Sequence, residues 1–320
     1  MKRVLICGYA GAGNYGDELL LSRMKEHLGF ELTVLSRDPE LTQRGHSLRA
    51  IPFANPAAVL REMKRSDFLV LGGGTLLQRS TSVSSLLYYS SIAETAALLG
   101  LPFALYGGID DTSPPSRAVL KAAKALILRD SRSVKLSKNL GFGGKTLFAP
   151  DPALIPPGDR KDVPHHGMII SAPRFDDLRS VIAAAALSKR TGEPHALFAC
   201  SPLETDICRR AARICGAYCF RTSDHKKSEA FLCGAGAVFS SRLHPCITAY
   251  SAGIPFAAFS DDGKIKAFVK DTGNSRSLIE SPFDPDLPGL PGRFDISRLE
   301  DMQKRALNGL GALSDIIKRS

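Results

Sequence analysis

The chain is 320 residues long and 44% hydrophobic, enough apolar material for two cores, and its 28 glycines and 20 prolines are scattered through a globular pattern, which excludes a disordered protein. Its net charge of +10, from 42 Lys and Arg against 32 Asp and Glu, points to an anionic partner, and charge alone does not choose among nucleic acid, a membrane face and a phosphorylated substrate. No apolar run reaches 18 residues, and Met1-Lys2-Arg3-Val4 leads directly into a strand, so the expectation is a cytoplasmic protein without a membrane span. The seven cysteines are odd in number and form no CxxC pair, which reads as reduced thiols on apolar faces; Cys215, Cys219 and His225 do not have the spacing of a zinc site.

In chain order, Val4 to Cys7 forms a short buried strand that enters Gly8-Tyr9-Ala10-Gly11-Ala12-Gly13-Asn14-Tyr15-Gly16-Asp17-Glu18. Leu19, Leu20, Met24 and Leu28 then repeat at helical spacing. Strand, glycine loop and helix make a cradle for an anion, because backbone N–H groups can approach a ligand at the positive end of a helix. Gly11, Gly13 and Gly16 also satisfy GxGxxG, and Arg37-Asp38 follows the next strand, Leu32 to Leu35. Two features argue against a dinucleotide. Three residues separate the strand from the first motif glycine, and Asp17-Glu18 places carboxylates where a pyrophosphate would lie. These acids suit a helix start, a hydroxyl partner or a base.

Asn55-Pro56 reads as an N-cap and first residue of a helix to Arg65. Phe68 to Leu71 is a buried strand that meets Gly72, Gly73 and Gly74, where a ligand or another backbone must come close. A helix over Leu86 to Leu99, a strand over Pro102 to Tyr106 and a loop from Gly107 to Pro115 follow. Ala125 to Leu128 is a strand ending at Arg129, and Ser131 caps a helix that Gly141 closes. From Arg160 to Gly167 the chain is polar and reads as a linker with a solvated His165-His166 pair, so the domains are expected at 1–160 and 161–296, with a C-terminal helix at 297–320.

The second half alternates in the same way: strands at Met168 to Ser171, Ala196 to Cys200, Tyr218 to Phe220, Ala237 to Phe239 and Pro255 to Phe259, with helices between them. Both halves therefore read as parallel, doubly wound α/β sheets. The strand at Ala237 runs into Ser240-Ser241-Arg242-Leu243-His244, Pro245 opens a helix that ends at Gly253, and the next strand ends near Lys264. Ligands of open α/β sheets bind at the carboxyl ends of strands, so Arg242, His244 and Lys264 are candidates to hold a substrate bearing carboxylate and phosphate. An arginine and a histidine there would also suit a surface or helix-end role. Residues 271–295 read as irregular; Ser297 and Glu300 form a capping box for a last helix with an apolar stripe at Leu299, Met302, Ala306, Leu310, Leu313 and Ile317, which needs a surface such as the first domain.

Five stretches in this order, GYAGAGNYGDE (8–18), LGGGTLLQ (71–78), LRDSRSVKLSKNLG (128–141), Asp151-Pro152 and SSRLHPCITAYSAGIPFAAFSDDGKIKAF (240–268), resemble the polysaccharide pyruvyl transferase family. The resemblance implies a two-domain fold similar to glycosyltransferase B, phosphoenolpyruvate as co-substrate, a saccharide acceptor that is often lipid-linked, and a pyruvate ketal as product; no cofactor is expected, and no metal, because arginines can neutralise the donor's charge. The chemistry of such a donor makes His244, Arg242 and Asp17 the catalytic candidates, with His244 as proton donor or phosphate partner and Asp17 accepting a hydroxyl proton, roles that could be exchanged, and puts Arg129, Arg242, Leu243, His244 and Lys264 on the donor. The resemblance places Gly13, Asn14, Gly16, Asp17, Glu18, Gly72, Gly73, Gly74 and Gln78 in the acceptor loops. Where the family has an aromatic-small-Gln-Gly-Ile-Gly-Pro loop, this chain has Tyr106-Gly107-Gly108-Ile109-Asp110-Asp111. The charge also suits peripheral contact with an anionic inner membrane face. A nucleotide-sugar glycosyltransferase of similar fold and a non-catalytic anion-binding protein are the alternatives. Dispersed basic residues, 7% aromatics and no Trp argue against nucleic acid.

Overall fold

The computed structural model describes residues 1–79, 82–142, 144–157, 164–175, 177–283 and 295–320. It divides into two compact units: Met1–Gly13, Leu20–Pro152 and Lys304–Ser320 form the first, and Asn14–Leu19 with Ala153–Gln303 form the second. Residues 160–163 of the expected linker and 284–294 of the irregular stretch lie outside the described residues.

In the first unit the strands are β1 (Arg3–Cys7), β2 (Glu31–Ser36), β3 (Arg49–Pro52), β4 (Phe68–Leu77), β5 (Phe103–Ile109), β6 (Ala125–Leu128) and β7 (Lys145–Phe148). They pair in the order β3-β2-β1-β4-β5-β6-β7, all parallel. The central strands are apolar and buried along their length, as strands covered on both faces must be. The accompanying helices are α1 (Tyr15–His27, of which the part from Leu20 belongs to this unit), α2 (Pro39–His46), α3 (Pro56–Met63), α4 (Val83–Leu98), α5 (Pro114–Ala122) and α6 (Ser131–Asn139). The strand order reverses between β1 and β4, and there the chain turns at its glycines.

The second unit has β8 (Ile169–Ala172), α7 (Arg179–Thr191), β9 (His195–Phe198), α8 (Thr205–Cys215), β10 (Tyr218–Phe220), α9 (His225–Cys233), β11 (Ala237–Ser240), α10 (Leu243–Ala252), β12 (Phe256–Ala258) and α11 (Gly263–Asp271). Its parallel sheet runs β10-β9-β8-β11-β12, with the reversal between β8 and β11. The last helix, α12 (Ile296–Lys318), buries Met302, Ala306, Leu310, Leu313 and Ile317. In its first-unit part Gly309 lies against Ala149 and Tyr106, and Lys2 Nζ donates to the Ile317 carbonyl at 2.8 Å.

Several local expectations need correction. The cap of α6 is Asp130, whose carboxylate accepts from Ser133 N–H at 2.7 Å, in place of Ser131, because Asp130 is the last residue with an extended backbone and Ser131 is already helical. Asp295 accepts from Arg298 N–H at 3.1 Å, so α12 starts before the Ser297 box. The loop expected over Gly107 to Pro115 is shorter: β5 continues to Ile109 and α5 begins at Pro114, a residue suited to a first helical position. Asp110 and Asp111 are taken up locally, Asp110 by Arg132, and Asp111 by Arg79 at 3.0 Å, Ser113 and Ser116. Helix α11 occupies the stretch after Asp262, and α2, β3 and β7 were not legible because they are short and, in the strands, half-exposed. His166 is not solvated: its Nε2 lies 2.8 Å from the Phe231 carbonyl and its ring stacks on Phe231 at 5.1 Å.

Candidate functional site

The two units each carry a polar cluster at the carboxyl ends of their strands. In the first, the three consecutive glycines lie inside β4 rather than beyond it, where the pairing with β5 shifts register after Gly72 and again after Thr75. Gly73 and Gly74 have φ of 92° and 71°, and a Cβ on Gly107 would overlap the Gly74 carbonyl. The close approach predicted there is thus made by the chain's own backbone. Arg129, at the end of β6, gives one Nη to Asp151 Oδ2 and the other to Thr75 Oγ1, both at 2.9 Å. Both members of this ion pair are buried, with 6% and 4% of their side chains exposed. Gln78 follows the end of β4 and is half-buried.

The second unit holds the larger cluster. Residues 14–19, read from sequence as part of the N-terminal domain, pack here because Tyr15 anchors them. Its N–H donates to the Cys200 carbonyl at 2.8 Å, its hydroxyl lies 2.7 Å from Thr248 Oγ1 on α10, and its ring meets Phe198 edge-on. Asn14 Oδ1 accepts from Gly16 N–H at 3.1 Å, and Asp17 and Glu18 fall in the first turn of α1, where carboxylates complement the helix dipole. Gly16 is pressed against the imidazole of His244, so any Cβ there would overlap the ring. A Gly16→Ala variant therefore has to expel His244 from its place while keeping an ordinary backbone conformation. We expect it to lose as much activity as His244→Ala, on the order of 100-fold, with little change in unfolding midpoint. Steady-state kinetics of the two variants side by side, with a melting curve of each, makes the comparison.

Four neighbouring strand ends supply the charged groups: Glu204 beyond β9, Arg174 beyond β8, Arg242 and His244 beyond β11, and Asp262 and Lys264 beyond β12. Arg242 donates to Glu204 Oε1 through Nε at 2.6 Å and through Nη2. Burial, the largest cause, pulls the Arg242 guanidinium below its ordinary pKa, with Cys200, Arg174, Asp17 and Asp262 all in electrostatic reach. Asp262 caps α11 by accepting from Lys264 N–H at 2.9 Å, and its other oxygen lies 3.6 Å from Lys264 Nζ and 3.8 Å from an Arg174 nitrogen. Phe175, half-exposed, stands 6.0 Å from the Arg242 guanidinium carbon. Leu243 opens α10 between Arg242 and His244.

The second unit therefore brings Arg242, His244, Lys264 and Asp17 into one cluster, and Arg129 belongs to the first unit's buried pair. The sequence reading missed Glu204, Arg174 and Phe175 and gave Asp262 no role. The signal available was their place at predicted strand ends, without any means of ordering the strands. Among the described residues no group of three or more His, Cys, Asp or Glu could hold a metal, and all seven cysteines are free. No described helix is long and apolar enough to cross a membrane.

Two parallel α/β units with polar groups at the carboxyl ends of their strands define a fold of the glycosyltransferase-B type, and solved structures agree. The chain is similar to Staphylococcus aureus MnaA in its structure with UDP (TM-score 0.65, 10% identity, 99% of this chain and 96% of that one). It is similar as well to the Neisseria meningitidis UDP-GlcNAc 2-epimerase bound to UDP-GlcNAc (0.64, 10%, 100% of both chains) and to Acinetobacter baumannii MurG (0.50, 13%, 100% of both). Identities this low speak for the fold alone. The family is shown by sequence: the polysaccharide pyruvyl transferase family model matches residues 14–263, and the chain belongs to that family. No curated protein sequence matches it.

Proposed function

We propose that the protein transfers the pyruvyl group of phosphoenolpyruvate to a saccharide as a ketal, releasing phosphate. The observation that carries this reading is the first turn of α10. Arg242 and His244 stand there side by side at the sheet's switch point, with the His244 ring against Gly16 and Asp17 within electrostatic reach of Arg242. Phosphoenolpyruvate presents a carboxylate and a phosphate on one small carbon frame, and charge-assisted hydrogen bonds to such groups contribute about 1.5–3 kcal/mol each. Arg242, with Lys264 and Arg174, is the donor-binding set in the second unit, and the partly desolvated guanidinium strengthens its attraction for the incoming anion.

In the proposed chemistry His244 delivers a proton to C3 of the donor, C2 gains oxocarbenium character, and a sugar hydroxyl adds to C2 as Asp17 takes its proton. A second hydroxyl then displaces phosphate from C2 and closes the ketal, its proton leaving with the phosphate. The cations steady the phosphate's charge as the C–O bond breaks. Membership of the family is what points to this donor; the acceptor is a saccharide, with a lipid-linked one and peripheral contact with an anionic membrane as part of the proposal. UDP is the instructive competitor, since two structurally similar proteins hold UDP or UDP-GlcNAc.

Thermal unfolding in a series of phosphoenolpyruvate and UDP concentrations tests the donor. A ligand at 100 times its Kd adds about 2.7 kcal/mol to stability, so phosphoenolpyruvate should raise the midpoint in a concentration-dependent way and UDP should leave it unchanged. The opposite pattern assigns the protein to nucleotide-sugar chemistry.

A further inference from the structure

Glu204 has no part in the reaction as described, yet it is the most completely buried acid of the cluster, with none of its side chain exposed. It sits beyond β9, two strands from the strand that delivers Arg242, and receives both Nε and Nη2 of that arginine on a single oxygen, Oε1. Among the described residues its other oxygen, Oε2, has no hydrogen-bond partner. The Arg242 side chain keeps 26% of its surface exposed, and Phe175 stands near the guanidinium. A guanidinium is planar and carries five N–H donors in a fixed fork. With the Nε–Nη2 edge held by a carboxylate that cannot turn towards solvent, the plane of Arg242 is set, and the edge at Nη1 is left to face a ligand.

We propose that Glu204 is the positioning residue for Arg242: it fixes the rotation of the guanidinium so that the Nη1 edge addresses the donor's anionic group. This rests on the reading of the second-unit cluster as the phosphoenolpyruvate site. It distinguishes two kinds of acid in the cluster. Asp262 touches Lys264 and Arg174 at 3.6 and 3.8 Å from a partly exposed position, so an incoming anion can take its place. Glu204 is buried against one cation and stays. A buried carboxylate with one partner also makes a stability prediction that a ligand-binding role alone would not. Removing Arg242 strands the Glu204 charge, and neutralising Glu204 in the same molecule relieves it.

The test is a double-mutant cycle on the full chain with Glu204→Gln, Arg242→Ala and the pair, reading KM for phosphoenolpyruvate, kcat and the unfolding midpoint. Glu204→Gln should raise KM at least tenfold with a smaller effect on kcat. It should add nothing further to KM in the Arg242→Ala background, and it should recover part of the midpoint that Arg242→Ala loses. If Glu204→Gln leaves KM at its wild-type value while Arg242→Ala raises it, the positioning role is overturned and the donor site stands. Independent, additive effects of the two substitutions on KM overturn it as well. A wild-type protein that neither binds nor consumes phosphoenolpyruvate overturns both readings.

Discussion

Arg242→Ala should lower phosphate release from phosphoenolpyruvate and acceptor by 100-fold or more, as should His244→Ala, the size expected when an electrostatic or proton-transferring group is lost from a reaction of this kind. The two substitutions act differently on the fold. His244 contributes a ring held against Gly16, and its truncation leaves a small space beside α1. Arg242 is the hydrogen-bond partner of Glu204, whose side chain is wholly buried, so its truncation also exposes the fold to an uncompensated charge. Arg242→Lys keeps the charge but cannot reproduce the two contacts on Glu204, and a point-like ammonium lacks the guanidinium's fork, so it should recover only a small part of the activity. Initial rates of phosphate release over a range of phosphoenolpyruvate concentrations provide the check. Wild-type rates in either alanine variant would remove the second-unit cluster from the chemistry.

Asp151→Ala is expected to be the most destabilising single change in the first unit, at about 3–5 kcal/mol, because it strands the Arg129 guanidinium at the end of β6 with only Thr75 of its two described partners remaining. For a chain of this size that corresponds to a fall of about 4–7 °C in unfolding midpoint. Replacing both members, Arg129→Met with Asp151→Leu, removes the two charges together and should cost less than the single change. Calorimetry of the three proteins separates the cases. A single variant that melts with the wild type would show that water reaches the pair and that its burial is not what fixes its worth.

The departure at Asp110 and Asp111 looks different once its neighbours are known. In sequence these acids end the stretch Tyr106 to Asp111, where the family has an aromatic-small-Gln-Gly-Ile-Gly-Pro loop. In the structure Asp111 gathers Arg79, Ser113 and Ser116, and Asp110 takes Arg132. They hold the start of α5 and the first turn of α6, and their charge is largely met within the first unit.

What the sequence determined by itself was most of the longer elements that depend on near neighbours. Apolar runs such as Phe68 to Leu71 and Ala237 to Phe239 marked buried strands, Asn55-Pro56 and Gly253 marked helix ends, and the run Arg242-Leu243-His244 marked the passage from a strand end into a helix, because strand, turn and cap preferences are set within a few residues. Tertiary structure alone decided the rest. That Glu204 braces Arg242 across 38 residues depends on β9, β8 and β11 lying side by side, and parallel strands are joined by crossovers whose order local pattern does not encode. The placement of Asn14 to Leu19 with the second unit rests on Tyr15, whose N–H meets the Cys200 carbonyl, whose ring meets Phe198 and whose hydroxyl meets Thr248, 233 residues away, and the next residue, Gly16, lies against His244. Residue types marked the local elements; long-range packing chose which side chains stand together.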